Sequence, residues 1–228
     1  MKMAVRAGWM VAGAGLATAC GPKSTPPPPP PPPKVVVIPP RPYPPNGASP
    51  LFAIPRKTSD GLYYSVNRNI SPAQTTWNLR SALNVGALNC NQPQHAGILP
   101  AYREFLRSHA RTLTATNAQV DKEWRGKYGS RFIPEREKYM TEVYNHFALP
   151  PTLTDFCDAT LAVTRDLVGV RSADLNAFAA RSLPNIEIVF DDFYRRYEAY
   201  RTNLAAWEAQ YGGQTGTGAA PAATGKAQ

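Results

Sequence analysis

From Ser71 to Tyr211 apolar residues return every three or four positions, the spacing that lines one face of an α-helix. The most regular run is Ile186, Phe190, Phe193, Tyr197, Tyr200, Leu204, Trp207 and Tyr211, in which steps of four and three alternate throughout. This is a heptad seam, and it predicts a coiled-coil-like C-terminal helix of roughly 39 Å at 1.5 Å per residue. Asp191 stands four residues before Arg195 and Asp192 four before Arg196, the spacing of surface ion pairs on the outer face.

Five further helices are predicted upstream. Ser71 followed by Pro72 is a capping hydroxyl with proline at the first helical position. The helix it opens carries Trp77, Leu83 and Leu88 and ends near Cys90. A long helix spans about Leu99 to Arg125, with Leu99, Tyr102, Leu106, His109, Leu113, Val120 and Trp124 on its stripe, and the "GKYGS" stretch breaks it. Pro134 begins a third, bearing Tyr139, Met140, Val143, Tyr144 and Phe147, and Pro150-Pro151 stops it. Thr152 or Thr154 caps the fourth, whose stripe holds Phe156, Cys157, Leu161, Thr164 and Val168. Ser172 and Asp174 open a short helix with Leu175, Phe178 and Ala179, ended by Pro184. The stretch 59–69 reads as a turn or short extended piece. Two long seams with shorter helices between them predict an all-α fold: an up-down bundle of about five to six helices with a long, heptad-patterned C-terminal helix. No repeat of solenoid length is present.

The flanks have a different composition. Eight consecutive prolines run from Pro26 to Pro33, and seven more lie between Pro39 and Pro55. Proline donates no backbone hydrogen bond and holds the chain extended, so this stretch reads as a spacer. The "VVVI" run at 35–38 interrupts it and has the make-up of a short edge strand. The end, 212–228, is small, polar and glycine-rich, the composition of a disordered tail. The expected organisation is a leader over 1–19, a tether over 20–57, a helical domain over 58–211 and a tail over 212–228.

The formal charge of +9 invites a nucleic-acid reading, but its distribution opposes one. Between Asp60 and Tyr211 there are 17 Lys and Arg against 16 Asp and Glu, leaving +1, and the other eight cations lie outside that segment. A nucleic-acid-binding domain needs its own basic face to neutralise phosphates. The cations Lys122, Arg125, Lys127 and Arg131 are interleaved with Asp121 and Glu123, as on a solvated helix face.

At the amino terminus Lys2 and Arg6 precede the uncharged run "AGWMVAGAGLATA" (7–19), and Ala17, Thr18, Ala19 and Cys20 follow in the order of a cleavage site. Thirteen uncharged residues suit a signal h-region and are too few to span a bilayer. This stretch resembles the lipobox of bacterial lipoprotein precursors, with Ala17 in the usual leucine slot and Leu16 one place earlier. The resemblance implies that Cys20 becomes the first residue and carries acyl chains, palmitate among them, that hold the chain to a membrane. Gly21 in place of the aspartate retention signal implies outer-membrane sorting, facing the periplasm, in a cell with two membranes. The alternatives are an ordinary secretory signal cut near Ala19 and a cytosolic chain with an apolar start.

An anchored Cys20 leaves Cys90 and Cys157, an even number, so parity in an exported protein predicts their disulfide. Closing that loop stabilises the fold by about 4 kcal/mol in the chain-entropy model. The alternative is two buried, reduced thiols. Among polar residues, His109 lies on an apolar stripe and reads as a packed, hydrogen-bonded histidine, while His95 falls in a loop. Glu142 and His146, at i and i+4, are the weak catalytic candidates, able to share a proton or a metal. No metal-site, phosphate-loop, nucleophile-elbow or dinucleotide motif occurs, so no cofactor and no metal is expected. The stretches "WNLRSALNVGALNC" and "YNHFALPPTLTDFCDA" resemble secreted or lipid-anchored helical proteins of proteobacteria, a likeness that implies no activity and no site residues. Two function classes stand open: a non-enzymatic envelope module that contacts another envelope protein, and a periplasmic hydrolase or small-ligand binder with its site between helices. The oligomeric state is not legible.

Overall fold

A computed structural model describes residues 37–213. The leader, Cys20, the proline run at 26–33, Val35 and Val36, and all of the tail beyond Gly213 lie outside the described residues. The helical body begins at Pro39. Val37 and Ile38, the described remainder of the "VVVI" run, are exposed and carry no strand.

Among the described residues the body is all-α, with six α-helices: α1 (Pro72–Asn89), α2 (Ile98–Ser108), α3 (Ala110–Tyr128), α4 (Phe132–Phe147), α5 (Leu153–Asp166) and α6 (Leu175–Tyr211). Among the described residues the extended structure is a single antiparallel bridge, Lys57 with Tyr63, closing the turn at 58–62. No helix among them is long and apolar enough to cross a membrane.

Helix α1 is the hub. It packs against α2, α3, α4, α5 and α6, and so buries small and polar residues as well as apolar ones: Thr76, Asn78 and Ser81 beside Leu79, Ala82, Leu83 and Val85. Its start is as expected: the Ser71 hydroxyl accepts from the Gln74 amide at 3.1 Å, with Pro72 in the first turn. Its expected stripe needs correction, because Leu88 points to solvent. Near its end, a Cβ on Gly86 would come within 2.6 Å of Thr160 Cγ2, so only glycine lets α5 approach this closely. Cys90 caps α1, and its sulfur lies at bonding distance, 2.00 Å, from that of Cys157 in α5, as the cysteine count predicts.

Two predicted boundaries move. The long second helix is divided at His109, whose backbone leaves the helical region (φ −111°, ψ 14°). The ring stacks near Phe105 and bonds the Ser172 hydroxyl at 3.0 Å, so the side chain is turned toward the connection before α6. Gly129, at φ +59°, ends α3 where "GKYGS" predicts a break. Thr152 stands at the N-cap of α5, one of the two expected positions, but its hydroxyl makes no capping bond; the chain enters through a 3₁₀ turn, and that hydroxyl donates to the Leu149 carbonyl at 2.9 Å. Pro184 does not stop a helix but sits inside α6, which runs for 37 residues. An internal proline removes one hydrogen bond; burial of Phe178, Leu183, Ile186 and Phe190 on both sides of it outweighs that loss.

The expected ion pairs along α6 also change partners. Asp191 bonds Arg68 at 2.6 Å, Asp192 pairs with Arg195 three residues on, and Arg196 reaches Asp155 of α5 at 2.9 Å. Tertiary geometry here outweighs the few tenths of a kcal/mol available to an exposed i, i+4 pair.

The expected tether boundary at Lys57 is too late. Residues 39–57 lie along α6 and cover the second half of its seam. The Tyr197 hydroxyl donates to the Ser49 carbonyl at 2.7 Å and accepts from the Phe52 amide at 3.1 Å. The Phe52 ring sits 5.3 Å from Phe193 and 5.4 Å from Tyr197. Trp207 donates to the Pro39 carbonyl at 2.8 Å, and Arg41 pairs with Glu208. Prolines suit this strap, since it needs no ladder of backbone donors. Burying Phe52 and satisfying Tyr197 contribute about 3 kcal/mol. A chain beginning at Thr58 therefore melts roughly 6–12 °C below one beginning at Pro39; equal midpoints in calorimetry would show that the strap is dispensable.

Candidate functional site

The densest constellation of polar side chains centres on Glu187, one turn after Pro184 on the buried face of α6. The residue is 8% exposed, and its carboxylate takes three hydrogen bonds, from α4 and from the loop before α1. His146 of α4 bonds Oε1 through Nε2 at 2.9 Å. Asn67 donates to the same oxygen at 2.7 Å, and the Ser65 hydroxyl donates to Oε2 at 2.5 Å. The Ser65 oxygen in turn accepts the Asn67 backbone N–H at 3.1 Å, which fixes the loop that carries both.

The network continues across the bundle. Asn78 of α1 donates to Asn67 and to the Tyr139 hydroxyl, both at 2.7 Å, and the Tyr139 hydroxyl donates to the Val66 carbonyl at 2.9 Å. Gln74 donates to Asn78 at 2.7 Å and accepts from the Trp124 indole at 3.0 Å. Buried amides, hydroxyls and an indole are thus matched donor to acceptor from α3 to α6, which such groups require when water is excluded. Beside it, Arg68 bonds Asp191 and the Tyr63 carbonyl, pinning the far end of the same loop.

Burial works to raise the Glu187 pKa, but the His146 charge and the bonds from His146, Ser65 and Asn67 outweigh it and hold the carboxyl below its ordinary value. Tyr139 and Tyr194, buried nearby, are each pushed up to about 12, mainly by desolvation, with the Glu187 charge adding to it. The site therefore meets one buried carboxylate with donors from His146, Ser65 and Asn67.

The sequence-based candidates fall as follows. His146 is in the network, but its partner is Glu187, forty-one residues on, and not Glu142. Glu142 is exposed and lines a groove of 490 Å³ between α3, α4 and the loop at 64–71, which borders the network at Ser65 and Tyr139 but is lined by neither His146 nor Glu187. The i, i+4 pair is thus not a pair: α4 turns His146 inward, where its ring packs 3.9 Å from that of Phe190, and leaves Glu142 outside. His95 is buried in a 3₁₀ turn and bonds Asp158 at 2.7 Å, while its Nδ1 has no partner. His109 is the packed, bonded histidine that its stripe position predicts. Cys90 and Cys157 lie together; Cys20 is outside the described residues. Among the described residues no three His, Cys, Asp or Glu side chains converge as a metal-binding set.

Sequence reasoning missed Glu187, Ser65 and Asn67. A signal for the first was available: Glu187 follows Ile186 and precedes Phe190 and Tyr194 by three and seven positions, so it is an acid on the flank of the apolar seam. Ser65 and Asn67 lie in a loop with no periodicity to mark them. A histidine oriented by a carboxylate can serve as a general base, but here both side chains are nine-tenths covered and Ser65 donates to Glu187 rather than to His146. The arrangement compensates charge and holds five parts of the chain together. No protein-family model matches the chain, and no curated protein or solved structure is significantly similar to it.

The sign of the pH effect follows from the lowered folded pKa. Glu187 contributes stability that is fully present above its unfolded value near 4.5 and is lost as pH falls through the folded value. Glu187→Gln costs about 3 kcal/mol at pH 7, because it removes the charged partner of a buried pair. It also flattens the acid limb of stability below pH ~4.5. Denaturant titrations at a series of pH values test this; an acid limb of unchanged steepness in the variant would refute it.

Proposed function

We propose that this protein is a lipid-anchored module of the bacterial envelope. A rigid helical body, held off the membrane on a proline-rich spacer, acts there by contact rather than by catalysis. The observation that carries this reading is the Cys90–Cys157 pair at bonding distance. Disulfides persist in oxidising compartments, so the pair supports export, and pairing these two leaves Cys20 as the one cysteine for an acyl chain. The lipobox-like order Ala17, Thr18, Ala19, Cys20 supplies the attachment site.

Two further features favour contact over catalysis. The polar side chains of the Glu187 network are spent on one another, from Trp124 through Gln74, Asn78 and Asn67 to Glu187. The hydrolase alternative drew on Glu142 and His146, which face different surroundings. With the strap at 39–57 belonging to the body, the spacer shortens to residues 21–38. At ~3.1 Å per residue in polyproline II this is a reach of up to ~56 Å, enough for the body to stand clear of lipid headgroups. The envelope partner would be met on the outer helix faces.

Membrane fractionation in a Gram-negative host, with mass spectrometry of the mature amino terminus, tests the anchor. Wild type is expected in the membrane fraction with an acylated Cys20 at its start, and Cys20→Ser in the soluble fraction or as uncleaved precursor. A mature chain beginning elsewhere, or an unmodified Cys20, would overturn the assignment.

A further inference from the structure

A groove of 730 Å³ lies between α1, α3 and α4, on the side of the bundle away from Glu187's loop. Its volume is that of a site for a small organic molecule. One wall is a single face of α4, where Ile133, Glu137, Met140, Thr141 and Tyr144 follow one another at helical spacing. The opposite wall is Trp77 and Arg80 of α1, three residues apart on one face. Phe132 closes one end, and Ile133 is 54% exposed at the lip. The interior is therefore mainly aromatic and aliphatic, with an open apolar edge.

Arg80 is the feature that asks for a ligand. It is half-buried, and its guanidinium lies over the Trp77 ring at 4.8 Å. Stacking occupies the guanidinium's face and leaves its in-plane N–H donors free, the fork that grips a carboxylate with two parallel bonds. Among the described residues no carboxylate pairs with it and no side chain or carbonyl accepts from it; Tyr102 is near enough to feel its charge. The contrast with Arg136 is direct. That residue also leans on Trp77, at 5.7 Å, but bonds Asp121 at 2.8 Å and Asn117 at 2.5 Å. Asp121 is thereby already engaged, and Glu137 is the other acid of the lining, exposed on α4. One arginine builds the wall, and the other presents an unmet cation inside it.

We propose that this groove binds a small aliphatic carboxylate, with the carboxylate held in the Arg80 fork against Trp77 and the hydrocarbon chain laid along Met140, Phe132 and Ile133. The site is formed by the body alone and does not depend on the anchor. Its ligand must carry both parts. A bare anion gains nothing from the aromatic wall, and a neutral chain leaves Arg80 unpaired in a drier surrounding, which costs free energy.

Titration calorimetry, with heteronuclear NMR of the Trp77 indole N–H, tests the proposal on the full chain, using octanoate below its micelle concentration, octan-1-ol and acetate as probes. Octanoate is expected to bind saturably at one site and shift the Trp77 signal, while the other two bind at least tenfold more weakly. Arg80→Gln, shown folded by circular dichroism and melting, is expected to lose at least tenfold for octanoate and to bind it no better than the alcohol. Ile133→Glu, at the lip and away from Arg80, is expected to weaken octanoate as well. The exposed Arg103→Gln leaves binding unchanged. No saturable octanoate binding, or equal affinity for octanoate and octan-1-ol, or an Arg80→Gln variant that binds as wild type does, would each overturn the proposal.

Discussion

A carboxylate taken out of water loses several kcal/mol of solvation, and the fold must return it through donors placed within hydrogen-bonding distance. Glu187 imposes that requirement near the middle of the longest helix. Its two oxygens are met by Ser65 and Asn67 from the loop before α1 and by His146 from α4. Asn67 can serve only because Asn78 of α1 holds its carbonyl oxygen, and Asn78 is oriented by Gln74 and Tyr139. One buried charge thus fixes the relative positions of α1, α4, α6 and a loop with no regular structure of its own. Apolar packing alone would tolerate small slides of these helices; a matched polar network tolerates far fewer.

The rest of the body is arranged around the same helix pair. α1 reaches its neighbours because its surface is small where they come close, at Gly86 against Thr160, and polar where the network passes, at Asn78 and Gln74. Its two ends are fastened by different chemistry: the Ser71 hydroxyl at the start and the sulfur of Cys90 at the end. α6 presents Glu187 to the network midway along its buried face, and further along gives Phe193 and Tyr197 to the strap. The same helix therefore joins the bundle's polar core to the segment through which the body meets the rest of the chain.

Helix type was legible because apolar spacing is a local property. Ser71-Pro72 and the glycine near 129 marked ends for local reasons of capping and backbone conformation, and the cysteine pair followed from counting. What was not legible depended on distant partners. His109 splits a regular stripe to reach Ser172, sixty-three residues away. Pro184 reads as a stop, and only the packing on both sides of it keeps the helix going. The strap at 39–57 reads as spacer because its contacts are made by backbone groups and by scattered side chains such as Arg41 and Phe52, which leave no periodic trace. His146 was singled out for its neighbour on α4, while the side chain that it meets lies on another helix. The Arg80 groove was hidden for a similar reason, since an arginine's lack of a partner is a property of the assembled fold.

The Glu187 network welds the loop at 63–70 to the bundle, so that this irregular segment is as stable as the helices that it joins. Native-state hydrogen exchange at single-residue resolution tests it most directly. The amides of Tyr63, Asn67 and Arg68, which bond Asp191, Ser65 Oγ and the Ser65 carbonyl, are predicted to exchange only with the global unfolding seen for the core of α6. Exchange of these amides through local openings several kcal/mol below the global value, while α6 stays protected, would contradict the account.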